Sequence, residues 1–374
     1  MEDRRRRRHV VVVNAGAEVS GAERVLLDLV DLAVGRGDRV TLVCPDGPLA
    51  TLAPASVSHV SAPLVRLGGA RGPRRVREVA GLPFLWARSA RVLRAVARDA
   101  DSMIVNSTFA LPVVGLAFPR HRARGGRPVI SWLVHDTITS LKQRVVARLG
   151  GHALTRAVAV SEVTGDSVRP LLGDGAAVRI RPNGVEIPAE MSGTTRTTTG
   201  ENVIGILAAI TGWKGHDVLL EALALLPDVR LEIAGTAFPG SGDFEEQLRA
   251  RAAQPDLAGR VAFLGHVDKR DVFPRWKALV SASTSPEAGP LGVLEAMAHG
   301  VPVVATDHGG AAEYLRDGAG VLVRPGDAQA LAEGIRAVLG DPARAAQLRE
   351  TARARVVGKH DVTRTRDLML KELS

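Results

Sequence analysis

Cysteine and aromatic residues are scarce in this chain of 374 residues. The single cysteine, Cys44, excludes an intrachain disulfide and fits a reducing compartment. It follows the mostly apolar run at 40–43, so we expect a passive thiol in the core or in a loop. Because aromatics make up only 3% of the residues and apolar residues 45%, the interior must be built mainly from leucine, valine and alanine.

Long hydrophobic runs are also missing. A helix that crosses a bilayer needs a run of about 18 or more apolar residues, and the sequence has none. The first apolar run is about five residues long and leads into Asn14 and Gly16, which predicts a strand rather than the apolar region of a secretory signal. We therefore expect a cytoplasmic location, with peripheral contact at the inner membrane face left open.

Acidic residues are under-represented in the N-terminal half. Residues 1–190 hold 28 Lys and Arg against 17 Asp and Glu, a net charge of +11, whereas the remainder has a net charge of −2. Such a field attracts an anionic membrane surface or an acidic substrate. An arginine-biased composition explains the same numbers without any partner.

What the sequence does have is a regular alternation of apolar, strand-like runs with amphipathic, helix-like segments. This alternation predicts parallel sheets built from strand–helix–strand units, and the length suits two domains. A polar run at 190–201 (EMSGTTRTTTGE) reads as a linker. We therefore predict an α/β chain of two Rossmann-like, doubly wound domains facing across a cleft, with a C-terminal helix crossing back to the first. The predicted bounds are 1–189, 202–355 and 356–374.

Ligands of doubly wound sheets bind beyond the carboxyl ends of the strands. The segment PEAGPLGVLEAMAHGVPVVATDHGG at 286–310 supplies the parts of such a site. A strand ends before Glu287, and Gly289, Pro290 and Gly292 allow a tight turn. A helix is predicted at 291–299. The free amides and the dipole of that helix make an anion site, for which a diphosphate is the natural ligand.

Two carboxylates flank this turn. Glu295 lies in the first turns of the predicted helix, and Glu287 lies in the loop before it. A carboxylate beside a diphosphate makes sense if it accepts hydrogen bonds from sugar or ribose hydroxyls. Two solvated glutamates near a helix start are the other interpretation.

The E-x7-E pattern followed by AMA-x-G-x-PVVAT resembles the signature of the retaining glycosyltransferases of family 4, which have the two-domain GT-B fold. Four further segments are similar to that family: SGAERVLLDL, SWLVHD, RPNGVE and TGWKGHDVLLEALALL. The resemblance therefore extends over most of the chain.

The resemblance implies a sugar-nucleotide donor held by the C-terminal domain and an acceptor against the N-terminal domain. Glu295 would bind the ribose and Glu287 the hydroxyls of the donor sugar. Lys214 would pair with the diphosphate, and His135 would lie near the donor sugar. The catalytic set implied is His135, Lys214 and Glu287. The donor-binding set implied is Ser20, Gly21, Gly212, Lys214, Gly289, Pro290, Leu291, Gly292 and Glu295.

For several of these residues an interpretation without any role in binding or catalysis stays open. Lys214 can be a surface lysine at a helix start, and His135 can be a packed histidine at a strand end. Asn183 and Gly184 fit a simple turn, and Asp136 fits a helix cap or loop acid.

The sequence departs from the family pattern at three positions. Ala209 stands where the family usually has an arginine that contacts phosphate. Ser20 replaces the first of two adjacent glycines, and Gly289 replaces a common aromatic. These changes leave the fold prediction alone and bear on the identity of the donor and on activity.

The family's mechanism implies a front-face transfer in which the leaving phosphate takes the acceptor proton. We expect no metal and no cofactor, so the Asp99-Ala100-Asp101 spacing is interpreted as structural. We expect a UDP-sugar donor such as UDP-GlcNAc or UDP-glucose, with GDP-mannose as the alternative. The rivals are a sugar-nucleotide epimerase or hydrolase on the same fold and a non-catalytic nucleotide-sugar-binding subunit. A dehydrogenase is disfavoured because no G-x-G-x-x-G follows the first strand.

The acceptor stays open between a natural-product or aminocyclitol type of small molecule and a cell-envelope polysaccharide or lipid. Residues 71–98 predict a basic amphipathic helix carrying Arg88, Arg91, Arg94 and Arg98. It fits an acceptor-side helix with a solvated arginine face, or a helix resting on an anionic membrane. The Arg4 to Arg8 run fits membrane docking or a solubilising end. Nucleic acid is a poor partner because no aromatic platform accompanies the charge.

Overall fold

The structure, a computed structural model, describes residues 7–64, 73–119, 126–172, 176–189, 201–238 and 240–374. Contacts within the chain divide it into two compact units. The first unit comprises Met1–Asn183 together with Thr365–Ser374, and the second unit is Gly184–Arg364. Except for Glu201, the predicted linker at 190–201 lies outside the described residues.

The first unit is a seven-stranded parallel sheet with the order β3-β2-β1-β4-β5-β6-β7. Its strands are β1 His9–Val13, β2 Arg39–Cys44, β3 Ser58–Ser61, β4 Ser102–Val105, β5 Val129–Val134, β6 Arg156–Ala159 and β7 Ala177–Ile180. Its helices are α1 Gly21–Gly35, α2 Pro48–Leu52, α3 Pro73–Val96, α4 Leu111–Ala117, α5 Leu141–Gly151 and α6 Glu162–Leu172. All residues of β1 and β4 are buried, which explains their continuous apolar sequences in a sheet covered on both faces.

The second unit is a six-stranded parallel sheet with the order β10-β9-β8-β11-β12-β13. Its strands are β8 Asn202–Leu207, β9 Val229–Ala234, β10 Val261–Gly265, β11 Ala278–Ser281, β12 Val303–Thr306 and β13 Val321–Val323. Its helices are α7 His216–Ala224, α8 Gly242–Ala252, α9 Lys269–Val272, α10 Leu291–Ala298, α11 Gly309–Leu315, α12 Ala328–Leu339 and α13 Pro342–Lys359. The prediction of two doubly wound α/β sheets is confirmed.

The last helix, α14 Val362–Leu373, runs from the second unit into the first. Glu372 pairs with Arg181 at 2.6 Å, and Asp367 pairs with Arg36, so the helix is tied to the first unit by charge. It begins at Val362 rather than just after Val356, because Val356 is buried in the second unit's core and keeps α13 going to Lys359.

Three short strands, β3, β7 and β13, do not stand out in the sequence. The residues of β3 and β7 are mostly exposed or half-buried, so they lack the apolar run that signals a central strand. Both lie at edges of the first sheet, and β13 lies at an edge of the second.

Several residues that the sequence left open have structural partners. Cys44 ends β2 and is fully buried, and burial raises the pKa of its thiol to about 11. Asp99 bonds to His9 at 3.0 Å and to Arg39, which fits the structural interpretation of Asp99-Ala100-Asp101. Arg8 pairs with Asp38 at 2.9 Å, so this end of the arginine run is anchored to the fold. None of the described helices is long and apolar enough to cross a membrane.

Candidate functional site

A pocket with an empty volume of about 390 Å³ lies at the carboxyl ends of β8 and β11, beside the first turn of α10. This is the edge at which parallel α/β sheets bind ligands. Five of the predicted site residues line it: Lys214, Glu287, Pro290, Leu291 and Gly292. Gly212, Gly289 and Glu295 do not belong to the lining.

The floor of the pocket is the amino-terminal end of α10. Pro290 is the N-cap, so the amides of the first turn have no partner within the helix. Gly292 lets this turn approach β8, since an added Cβ would lie 2.9 Å from the carbonyl oxygen of Leu207. The arrangement brings free N–H groups and the positive helix end to the pocket, which suits an anionic group.

Lys214 and Glu287 meet at the wall of this pocket. The Lys214 ammonium group donates to the Glu287 carboxylate, and the Ser283 hydroxyl donates to the same carboxylate. The Lys214 side chain is 17% exposed and that of Glu287 is 10% exposed, so this is a largely buried ion pair. Because both charges are partly desolvated, removal of one partner leaves the other poorly compensated.

The loop that carries Glu287 is fixed through its backbone. The Gly310 N–H donates to the carbonyl oxygen of Glu287 at 2.7 Å. Gly309 has φ 63°, and an added Cβ would lie 2.4 Å from that same oxygen. Thr306 and His308 hold the carbonyl oxygen of Ser283 at 2.8 and 2.7 Å. The DHGG end of the quoted segment therefore supports the Glu287 loop, a role that the sequence pattern alone does not reveal.

The loop that carries Lys214 also packs closely against a neighbouring backbone segment. Gly212–Lys214 form a short 3-10 turn, and Gly215 follows with φ 71° as the N-cap of α7. An added Cβ at Gly215 would lie 2.0 Å from the carbonyl oxygen of Ala282. His216, next in the chain, is fully buried, and burial with the nearby Lys214 charge lowers its pKa to about 4.

Glu295 has a partner that the sequence did not suggest. Lys269, the first residue of α9, donates to its carboxylate at 2.7 Å. The two side chains are 28% and 19% exposed. No motif signals Lys269, because it follows β10 by a short loop and reaches Glu295 only in the folded unit.

Ala209, at the position of the family arginine, is exposed in the loop after β8. Of the described lining residues, Lys214 is the sole cation. Nor do the described residues include a cluster of three or more His, Cys, Asp or Glu side chains with metal-binding geometry.

The remaining predicted residues lie in the first unit. His135 follows β5, its Nε2 atom is buried without a hydrogen-bond partner, and burial lowers its pKa to about 4. It is therefore a neutral imidazole at physiological pH. Asp136, next to it, is exposed and accepts a hydrogen bond from Thr108 at 3.2 Å.

Ser20 and Gly21 form the exposed start of α1. The Ser20 N–H donates to the Glu23 carboxylate at 3.0 Å, so Ser20 and Glu23 close the amino-terminal turn. Behind this turn lies the buried Asn14, which accepts from the Asn106 amide at 3.0 Å.

Two family models match the chain. The model for glycosyl transferases group 1 matches residues 190–355, and that for glycosyltransferase family 4 matches residues 19–187. The phosphatidyl-myo-inositol mannosyltransferase of Mycobacterium leprae is 31% identical over 336 residues, which are 85% of this chain and 83% of that protein.

Other similarities cover less or are more remote. The lipopolysaccharide core biosynthesis glycosyltransferase LpsE of Rhizobium meliloti is 33% identical over 43% of this chain, and the match spans about half of that protein, 46%. The crystal structure of Anabaena HepE in complex with UDP-glucose superposes with a TM-score of 0.80 at 23% identity, over 98% of this chain and 99% of that one. At this identity the structure shows a shared fold.

Proposed function

This chain belongs to the glycosyltransferases of group 1 and family 4, and we propose that it moves a sugar from a nucleotide-diphosphate sugar to an acceptor hydroxyl with retention of configuration. The observation that carries the proposal is the pocket in which the Lys214–Glu287 ion pair meets the free amides of α10. Lys214 supplies a cation, Glu287 supplies a carboxylate and the first turn of α10 supplies hydrogen-bond donors.

The diphosphate of the donor binds at the first turn of α10 and draws the Lys214 ammonium group away from Glu287. The diphosphate of a nucleotide sugar carries two negative charges against one on the carboxylate, and the helix end adds to the attraction. Glu287, which keeps its bond from Ser283, then accepts hydrogen bonds from the hydroxyls of the donor sugar. The ion pair of the free protein thus keeps both groups in place and neutralised until the donor arrives.

Glu295 binds the ribose hydroxyls, and Lys269 holds its carboxylate in position. The neutral imidazole of His135 acts as a hydrogen-bond partner of the donor sugar, because its lowered pKa keeps it uncharged. The other donor-binding residues that the family resemblance implies, Ser20, Gly21, Gly212 and Gly289, stay predictions.

In the transfer step the bond between the anomeric carbon and the phosphate oxygen breaks as the acceptor oxygen forms a new bond on the same face. The acceptor proton passes to the leaving phosphate oxygen. Lys214 and the α10 amides stabilise the charge that develops on the diphosphate. We propose that the reaction uses neither a metal nor another cofactor, since positioning and charge stabilisation supply the catalysis.

The favoured donor is a UDP-sugar such as UDP-glucose or UDP-GlcNAc. The likeness to HepE, described in complex with UDP-glucose, supports this choice. GDP-mannose is the alternative, because the Mycobacterium leprae relative is a mannosyltransferase.

We further propose a lipid-linked or cell-envelope acceptor rather than a small natural product. Two of the similar proteins act, by their names, on phosphatidyl-myo-inositol and in lipopolysaccharide core biosynthesis. The first unit also has a surface suited to lipid: Leu141, Val145 and Leu149 are 78%, 49% and 47% exposed at four-residue spacing on α5. That helix also carries three exposed cations and no acid: Lys142, Arg144 and Arg148.

An anionic membrane is the occupant that this α5 surface fits. Apolar side chains flanked by cations match a layer of acyl chains and anionic headgroups. A second copy of the chain is disfavoured because two such cationic faces repel each other. We therefore propose the α5 surface as a membrane-binding face, in addition to the α3 arginines that the sequence singled out.

A panel of UDP-, GDP- and dTDP-sugars, scored by the shift of the melting temperature, tests the function. We expect stabilisation by one nucleotide family, followed by nucleotide release that depends on an added acceptor. Release without any acceptor would favour the hydrolase or epimerase, and binding without release in any mixture would favour the non-catalytic subunit. No shift with any nucleotide sugar would contradict the proposal.

A further inference from the structure

Trp213 differs from the other tryptophans of the chain in its exposure. All four lie among the described residues. Trp132 and Trp276 are fully buried, and Trp86 is half-buried against the core of the first unit. Trp213 is 43% exposed, although it is a large apolar residue in a chain with few aromatics. Part of its indole ring is therefore accessible to a ligand.

The ring lies beside a residue that lines the pocket, although Trp213 itself does not belong to the lining. The Nζ atom of Lys214 lies 4.3 Å from the centroid of the Trp213 ring, and Lys214 lines the pocket with Glu287. The ammonium group therefore covers part of one face of the ring, while much of the residue remains open to solvent.

The backbone of Trp213 is fixed as well. Its carbonyl oxygen accepts from the Thr284 N–H at 2.8 Å and from the Thr284 hydroxyl at 3.3 Å. The 3-10 turn Gly212–Lys214 and the tight approach of Gly215 hold the same loop from the other end. The ring is thus presented by a constrained loop, which lowers the entropy lost on binding a ligand.

A flat aromatic surface beside a carboxylate, hydroxyls and an ammonium group has the chemistry of a carbohydrate site. The C–H face of a pyranose is apolar, and its hydrogens are attracted to the negative face of an indole. The hydroxyls at the edge of a pyranose would find hydrogen-bond acceptors and donors in Glu287, Ser283 and Thr284.

We propose that the indole ring of Trp213 is a stacking platform for a pyranose at the rim of the pocket. The inference rests on the proposed function. It adds an apolar contact with the face of the sugar to the hydrogen bonds that the family resemblance implies for Glu287. The pyranose belongs to the donor or to a saccharide acceptor, and the two sources are separated by experiment.

The test compares the wild-type protein with Trp213→Leu and Trp213→Phe. UDP, UDP-glucose and GDP-mannose are titrated, with tryptophan emission and the dissociation constant as readouts. If the donor sugar stacks, Trp213→Leu weakens the binding of the nucleotide sugar about tenfold and leaves the affinity for the nucleotide unchanged. Tenfold corresponds to about 1.4 kcal/mol, the size of a stacking contact. Trp213→Phe recovers most of the loss.

If the acceptor sugar stacks, donor binding is unchanged and KM for a saccharide acceptor rises about tenfold in Trp213→Leu. Leu225→Ala is the matched control, since Leu225 is also 40% exposed but caps the far end of α7. Equal weakening of UDP and UDP-glucose would overturn the proposal and assign the ring to the base or to Lys214. Unchanged donor binding together with an unchanged acceptor KM would also overturn it. A wild-type protein that binds none of the nucleotides would instead contradict the proposed function.

Discussion

Lys214 and Glu287 come from loops after two different strands, and their side chains meet in an ion pair at the wall of the pocket. The pair links the cation that would hold the diphosphate with the carboxylate that would hold the sugar. On the proposed function, donor binding breaks this one ion pair and forms two new interactions.

Replacement of Lys214 should weaken donor binding more than replacement of its partner, Glu287. In Lys214→Met the buried Glu287 loses its compensating charge and then faces a diphosphate, so we expect a loss of about 100-fold or more in kcat/KM. Glu287→Gln keeps the shape and frees Lys214. Its affinity for the nucleotide diphosphate alone should stay within a few-fold of wild type or improve, while turnover falls. Calorimetry with UDP or GDP and initial rates measure the two. Equal loss of diphosphate affinity in both variants would argue against the roles given.

Lys269 should act as a positioning residue for Glu295. Without the 2.7 Å bond the carboxylate is free to rotate, so Lys269→Met should raise KM for the donor about tenfold and change kcat little. Lys277→Met is the matched control, since Lys277 also donates to a neighbour, Asn202 at 2.6 Å, outside the pocket lining. A donor KM that responds equally in both variants would point to a general loss of stability.

Gly215 should be intolerant of any side chain. Gly215→Ala places a Cβ 2.0 Å from a backbone oxygen, in a residue with φ 71°, and we expect a loss of about 2–4 kcal/mol in the free energy of unfolding. Gly259→Ala separates the cost of the positive φ from the cost of the close approach, because Gly259 has φ 75° but nothing lies within 4 Å of an added Cβ there. That control should lose about 1 kcal/mol. Denaturant titration measures both, and equal losses would mean that the close approach costs nothing.

His216 should make stability depend on pH. Burial lowers its pKa from 6.5 to about 4, so below pH 6.5 the unfolded chain binds a proton that the folded chain does not. The stability contributed by the neutral imidazole is complete above pH 6.5 and is lost as the pH falls towards 4, by about 1–3 kcal/mol. His216→Gln should flatten this part of the profile. Parallel slopes for wild type and His216→Gln would refute the assignment.

The α5 surface should bind vesicles. We expect the wild-type protein to sediment with vesicles of phosphatidylcholine and phosphatidylglycerol, and less at high salt, because the cations of α5 supply part of the attraction. Leu141→Ser with Leu149→Ser should lower the bound fraction several-fold. Leu52→Ser is the control, since Leu52 is 60% exposed on α2. Vesicle binding that survives the α5 changes would place the contact elsewhere, and concentration-dependent dimers lost in the same variants would assign the surface to a second copy.

The sequence by itself determined the two parallel sheets and the Glu287 to Glu295 segment. Buried parallel strands require continuous apolar runs, and the turn, helix and strand around Glu287 follow one another along the chain, so their pattern is local. Lys214 was predicted from the resemblance to the family's lysine-glycine segment, in which a glycine and a helix follow the lysine directly. The edge strands β3 and β7 escaped detection because partial exposure leaves no apolar run.

Only the tertiary structure decided which distant side chains meet. Lys269 reaches Glu295, and Lys214 reaches Glu287. The first of these contacts joins residues 26 positions apart, and the Lys214–Glu287 pair joins residues 73 apart. Such contacts depend on the register of neighbouring strands and on the lengths of the loops that follow them. No local pattern encodes that geometry, so the partners of the site become visible only when the sheet is assembled.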